Sequence, residues 1–267
     1  MSTTWQYPDF QSQSRTADTE TPLVTVDIVV FTILPASPPA GNATGVLPRP
    51  QNQLNVLLIQ RSHSPYQHQW AMPGGFIRKG ETLEHAAARY LQDETGVGNI
   101  YLEQLYTFGQ PNRDPRARVI TVSYFALIRA NELKLKAGEG SKASNVAWFP
   151  VGGLPELAFD HQEIINYALA RLKRRLGSTS IAFQLLPEKF TLTELQRVYE
   201  LILNRELDKR NFRKKILSSG ILEDLGQTKM EGFHRPAQLY TFRERLEESG
   251  ESDLDPLSDT ANTSIEV

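Results

Sequence analysis

The chain has 267 residues, 40% of them hydrophobic and 22% charged, with 29 Lys and Arg against 31 Asp and Glu, a composition that excludes wholesale disorder and coiled coil and fits one enlarged domain or two modest ones. With no cysteine, disulfide frameworks, thiolate zinc sites, cysteine nucleophiles and iron–sulfur clusters are excluded and a reducing cytoplasm is the expected compartment. No apolar run approaches the roughly 18 to 20 residues of a membrane helix, and MSTTWQYPDFQSQSRTADTE lacks a signal peptide's basic and apolar regions, so a chain neither exported nor embedded is expected.

Residues 1–20, rich in Ser, Thr and Gln, are expected to be disordered. LVTVDIVVFTIL, Leu23 to Leu34, is β-branched and apolar enough for a buried strand, and Leu54 to Gln60 predicts a second. Between them the Pro/Gly-dense ASPPAGNATGVLPRPQN, 36–52, reads as an enlarged hairpin loop without chemistry. Glu81 to Thr95 has helical character and stops at Gly96, a residue favoured just past a helix end. Strands are expected over Tyr101 to Phe108, Val119 to Arg129 and Ala147 to Val151, then a helix from His161 to Leu176. The small polar stretch from Gly177 to Ser180 marks a domain boundary.

Beyond it lie helical stretches from Ile181 to Leu186, from Leu192 to Leu203 with the capping-box pair Thr191 and Glu194, and from Lys209 to Ser219, capped by Asp208 and stopped by Gly220. A β-like pair from Ile221 to Phe242 follows. From Glu244 onward eight acids face Arg245 alone, so the tail carries a net charge of -7 and the body a net of +5. Such a tail is expected to be disordered.

The segment GGFIRKGETLEHAAARYLQDETGV resembles the Nudix box, G-x5-E-x7-R-E-U-x-E-E-x-G-U with U aliphatic. Gly75, Glu81, Arg89, Leu91, Glu94, Gly96 and Val97 match seven of its nine fixed positions, Asp93 is a conservative change, and Tyr90 stands where the pattern has glutamate. The resemblance implies a Nudix α/β/α sandwich over roughly 20–176, and Phe159-Asp160-His161 has the look of that family too. The chemistry implied is water attack on a nucleoside diphosphate linked to another group, with Mg²⁺ neutralising phosphoryl charge. Positions 90, 93 and 94 share one helix face, but a phenol is a poor ligand for a hard cation and Asp93 is one methylene short. Two readings stay open. Either the box survives as a fold element, with Arg89 pairing Asp93 at i, i+4 and the pocket binding without cleaving, or Glu81, Asp93 and Glu94 hold enough Mg²⁺ for slow hydrolysis.

The strip from Tyr106 to Ile128 resembles the segment after the box in Nudix proteins acting on ADP-ribose-like ligands. Arg113, Arg116 and Arg118 form a cationic cluster suited to a pyrophosphate, or else a solvated charged loop. Phe108, Trp70 and Tyr106 are candidates for stacking on adenine, or else core aromatics.

The C-terminal order of helices and hairpin is that of a winged helix–turn–helix. In its last helix Phe212 and Ile216 form an inward stripe, with Lys209, Arg210, Arg213 and Lys214 opposite and Asn211 and Lys215 flanking. Six bases face two acids from Arg205 to Leu217, the footprint of a helix presented to DNA. Arg235, beside His234 in the hairpin, is placed to lay a wing along the backbone. The bland alternative is a charged helical appendage used for dimerisation. As a whole, this part is similar to the C-terminal domain of the Nudix-related transcriptional regulators of NAD metabolism.

That resemblance implies an α/β chain: a Nudix-like effector domain over 21–176, a winged helix over 177–243, and an acidic tail over 244–267. It implies a homodimer that represses NAD biosynthesis or salvage genes at a double-stranded DNA operator, senses ADP-ribose or a related metabolite, and requires no cofactor, with Mg²⁺ entering only for residual hydrolysis. The alternative is a Nudix hydrolase of ADP-ribose-like compounds with a helical accessory domain.

Overall fold

The computed structural model describes residues 21–36, 52–96, 101–129, 143–176, 180–230 and 236–243. The expectations for the N-terminal segment, the acidic tail, nearly all of the 36–52 insertion, His234 and Arg235 fall outside the described residues.

The strand β1 (Leu23–Pro35) sits at the centre of a mixed sheet. It pairs antiparallel with β2 (Asn52–Arg61) and parallel with β6 (Val119–Leu127). β6 pairs with β5 (Tyr101–Phe108), and β2 with both β3 (Trp70–Ala71) and β7 (Ala143–Pro150). The short β4 (Gly74–Phe76) adds to the other part of β1. β3 and β4 are too short to announce themselves by alternation, and the sequence reading passed over them.

Alternation along β1 builds two cores, because successive side chains leave opposite faces of a strand. Val26, Ile28 and Val30 face one layer with Ala86, Ala87 and Leu91 of α1 (Leu83–Thr95). Val29 and Phe31 face the other, with Ile164, Ile165, Ala168 and Leu172 of α2 (His161–Arg175). This is the expected α/β/α sandwich. α1 begins at Thr82, whose hydroxyl accepts from His85 N–H, and ends at Gly96 with φ 71°, a left-handed C-cap that costs glycine little.

The α2 core continues without a break into the C-terminal domain, through Leu176, Ile181 and Phe183 to Tyr199, Phe212 and Ile216. There a 3₁₀ turn (Ser180–Leu185) replaces the helix expected over Ile181 to Leu186. α3 (Leu192–Leu203) starts at a complete capping box, in which Thr191 and Glu194 each accept from the other's backbone N–H, and α4 (Lys209–Ser218) starts at Asp208. The expected hairpin is β9 (Leu222–Lys229) and β10 (Ala237–Phe242), joined by a third strand, β8 (Phe190–Thr191), that the sequence reading missed. The Tyr199 hydroxyl donates to the Leu176 carbonyl at 2.9 Å, and its ring meets Phe212 edge-on at 5.3 Å. α4 is thus seated, through α3, on the end of α2. Among the described residues no helix is long and apolar enough to cross a membrane.

Candidate functional site

Three segments converge where β1 meets the start of α2. Asp27, the one charged residue within the β1 run, is buried, and so is Arg113 from the β5–β6 loop, with its side chain 4% exposed. Arg113 forks onto Asp160 at 2.7 and 2.8 Å and reaches Asp27 at 3.2 Å. Burial pulls the Arg113 guanidinium toward losing its proton, but hydrogen bonds to Asp160 and the charge of Asp27 outweigh it and raise its pKa. His161 is buried, and desolvation holds its pKa below the usual imidazole range. Its Nδ1 accepts from the Met72 N–H at 2.9 Å, so the Nε2 proton points toward Asp27, 3.8 Å away.

This network floors a cavity of about 360 Å³, a size suited to a small-molecule ligand. Thr25 and Asp27 line it from β1, Gly74, Gly75 and Phe76 from β4, Tyr90 from α1, Arg113, Asp114 and Arg116 from the β5–β6 loop, and Phe159 and His161 from the start of α2. At its mouth Arg116 lies 5.5 Å from the Phe76 ring and 5.7 Å from that of Phe159, and Arg61 lies 4.8 Å over Phe159. Phe159 has φ 56°, a left-handed conformation that an aromatic residue adopts only where its surroundings impose it. Ala158 N–H to Trp70 O and Met72 N–H to His161 hold that corner on both sides.

The box residues have other partners than expected. Arg89 pairs with Glu81, at 2.6 and 2.8 Å, and not with Asp93, because the Glu81 carboxylate offers the guanidinium fork both oxygens at once. That bond, with the Arg78 N–H, holds the Glu81 pKa down at about 2. Arg89 also covers the Tyr90 ring at 4.2 Å, and the Tyr90 hydroxyl donates to Phe76 O at 3.0 Å. A Cβ at Gly75 would stand 2.5 Å from that hydroxyl, so glycine there makes room for tyrosine. Asp93 is exposed and does not line the cavity, and the Glu94 side chain lies outside what is described. Among the described residues Glu81 is committed to Arg89 and Tyr90 to a carbonyl, and no group of three His, Asp or Glu side chains is arranged for a metal.

The three loop arginines divide. Arg113, expected in a cationic cluster for a pyrophosphate or else in a solvated loop, is an interior ion-pair residue that lines the cavity, with its partners Asp27 and Asp160 far away in sequence. Arg116 is at the cavity mouth, its guanidinium paired with Asp114. Arg118 donates to Gln110 O outside the cavity. Phe108 is buried against Tyr106 and Tyr167, and Trp70 is half-buried against Phe149; none of these lines the cavity. Sequence reasoning missed Thr25, Asp27, Arg61, Asp114 and Phe76 as cavity residues. An acid inside a β-branched run was the available signal for Asp27.

On α4, Phe212 and Ile216 are buried while Lys209, Arg210, Asn211 and Lys214 are exposed. Arg213 and Lys215 are half-buried, and Arg213 leans on the Thr193 hydroxyl at 3.5 Å. On the hairpin, Lys229 is pinned by Glu194 at 2.8 Å, and exposed Glu223 and Asp224 make the start of β9 acidic.

A Nudix sandwich sharing its core with a winged helix defines a two-domain protein with a cavity in the first domain and a basic helix in the second. Residues 39–169 match the NUDIX domain family and residues 182–242 the NrtR DNA-binding winged helix domain. The chain is 38% identical over 239 residues, 87% of each chain, to the ADPR responsive transcriptional repressor NtrR of Acinetobacter baylyi. It therefore belongs to the NrtR family. The crystal structure of Shewanella oneidensis NrtR complexed with a 27mer DNA resembles it at TM-score 0.66 and 36% identity, covering 82% of this chain and 93% of that one. An ADP-ribose pyrophosphatase of Methanocaldococcus jannaschii is 35% identical over 128 residues, 48% of this chain and 72% of its own.

Proposed function

We propose that this protein is an ADP-ribose-responsive transcriptional repressor that binds double-stranded operator DNA through the exposed face of α4 and binds its effector in the Nudix cavity. The observation behind this reading is the combination in one continuous core of a cavity whose box residues are engaged in fold contacts and a helix whose exposed face is basic. Likeness along most of the chain to the Acinetobacter repressor supports ADP-ribose as the effector, and likeness to a relative crystallised with DNA supports the winged helix as the reading element. The protein acts as a homodimer in the cytoplasm, on genes of NAD biosynthesis or salvage, and needs no metal. The test is a mobility shift with duplexes from the chain's own genomic neighbourhood, with and without ADP-ribose. A retarded duplex whose affinity changes with ADP-ribose is expected, and affinity that ADP-ribose leaves unaltered refutes the sensor.

A further inference from the structure

The bases of α4 are uncompensated within the fold. Arg89, Arg113, Arg116 and Arg175 each hold a carboxylate, on Glu81, on Asp27 and Asp160, on Asp114 and on Glu103 respectively. Lys209, Arg210, Arg213, Lys214 and Lys215 have no carboxylate within ion-pair reach among the described residues. Arg213 has the Thr193 hydroxyl instead, and Asp208, the acid at the start of the helix, accepts from the Asn211 N–H. Arg210, Lys214 and Leu217, at i, i+4 and i+7, share the face opposite Phe212 and Ile216. Leu217 is 48% exposed, so this open face is basic with an apolar end. Cations gathered on one short helix repel one another, and a polyanion laid across them is favoured.

The chain's own acids leave the fold beside this helix. Arg243, the last described residue, donates its N–H to Ile221 O at 2.9 Å, and Phe242 pairs with Leu222. Ile221 lies three residues past Ser218, where α4 ends. The segment 247–259 carries Glu247, Glu248, Glu251, Asp253, Asp255 and Asp259 with no base, and sets Leu254 and Leu257 among them. Its far end is sixteen residues past Arg243, up to about 50 Å of chain at about 3.3 Å per residue, whereas the ten residues of α4 span about 15 Å. Every base on the helix is within its reach. The hairpin is a poorer seat: Glu223 and Asp224 at the start of β9 are exposed acids, and Lys229 is held by Glu194.

We propose that the acidic segment 247–259 seats on the exposed face of α4 in the same chain, so that DNA has to displace it. The proposal rests on the reading of α4 as the DNA-binding face. A tether this short sets an effective concentration of about 1 mM, so a segment with an intrinsic dissociation constant of about 0.1 mM weakens DNA binding about tenfold. Operator and random duplex are weakened by the same factor, since both need the same cations. Release of the segment takes counterions back up, so the salt dependence of DNA binding is shallower than the phosphate contacts alone dictate.

The test is run on the full chain. Carbodiimide couples a carboxylate to an amine only where the two touch. Mass spectrometry of the coupled protein is expected to join acids of 247–259 to Lys209, Lys214 or Lys215 of the same chain, and excess operator duplex to abolish these products. Fluorescence anisotropy then compares wild type with a full-length variant carrying Glu247→Gln, Glu248→Gln, Glu251→Gln, Asp253→Asn, Asp255→Asn and Asp259→Asn. The variant is expected to bind operator and random duplex about tenfold more tightly at about 50 mM salt, to lose most of that gain near about 200 mM, and to show the steeper salt slope. Tighter binding without coupled products is long-range repulsion and overturns the docking. So do products confined to Lys173 of α2, products joining two chains, or an unchanged affinity. If the coupled products persist while Lys209→Ala and Lys214→Ala leave operator affinity intact, the reading of α4 as the DNA face falls, and the competition with it.

Discussion

Replacing Arg113 by Met keeps most of the side-chain volume and removes three charge-assisted hydrogen bonds. Asp27 and Asp160, with side chains 9% and 13% exposed, are left facing one another without a cation. Removing one partner of a buried ion pair costs about 3–5 kcal/mol, because the orphaned charge remains out of water. At roughly 2–4 °C per kcal/mol for a chain of 150–250 residues, the melting temperature falls by about 6–20 °C. Against a typical total of about 5–15 kcal/mol the variant stays folded but marginal. The triple variant Arg113→Met, Asp27→Asn, Asp160→Asn removes both stranded charges and recovers much of the loss. Arg118→Ala, which gives up one bond to Gln110 O, changes stability by no more than about 0.5 kcal/mol. Urea melts at pH 7 with thermal scans read all three. A loss below about 1 kcal/mol for Arg113→Met would mean that solvent screens the pair, and the buried network would cease to be a structural argument.

Gly75→Ala is expected to lower the melting temperature by driving a Cβ into the Tyr90 hydroxyl, and Tyr90→Ala in the same chain to relieve part of the loss; simple additivity in that double-mutant cycle contradicts the clash. His161 is held below its ordinary pKa by burial, so the unfolded chain takes up its proton first and stability falls as pH drops below about 6.5, by at most about 1.4 kcal/mol per pH unit. His161→Asn keeps an acceptor for the Met72 N–H and should flatten urea-melt stability across that window; an unchanged slope refutes the assignment. Lys209→Ala or Lys214→Ala should weaken binding to operator and random duplex alike and lower the salt slope by roughly one each, whereas Arg210→Ala or Asn211→Ala should cost about 1–3 kcal/mol on the operator alone. Wild-type operator affinity in all four variants excludes α4 as the reading element. ADP-ribose turnover with Mg²⁺, followed as AMP release, should stay far below the roughly 10 per second of a median enzyme; rapid release abolished by Glu94→Gln would show an enzyme instead.

What was legible in the sequence was local. The β1–β2 pairing followed from β-branched runs around a Pro-rich loop, the end of α1 from Gly96, and the start of α3 from Thr191 and Glu194, because each depends on residues within a few positions of one another. The opposite sides of α4 followed from its period, with Phe212 and Ile216 inward. The burial of Arg113 was not legible, for the opposite reason: its partners lie 86 residues upstream and 47 downstream, and no window along the chain contains them. Arg89 was misassigned by a helix rule. Asp93 is at the right spacing, but Glu81 lies just before the helix, where its oxygens meet the fork in plane. Phe108 illustrates a third limit, since aromatic character alone does not separate a stacking platform from the core between a sheet and α2.

The Nudix box keeps its place in the fold with tyrosine where the pattern has glutamate, because most of its fixed positions hold the fold. Gly96 closes α1 in a conformation that other residues resist, Leu91 fills the core under the sheet, and the Glu81–Arg89 pair ties the loop before α1 to the helix. Tyr90 changes what that framework does. A carboxylate at this position would need a cation or water to face the cavity, whereas the phenol closes its own hydrogen bond to Phe76 O and spreads its ring beneath the Arg89 guanidinium. The same helix face that would gather metal ligands instead joins α1 to β4 and forms part of the cavity wall. The departure from the box pattern at position 90 thus falls on a side chain that lines the cavity.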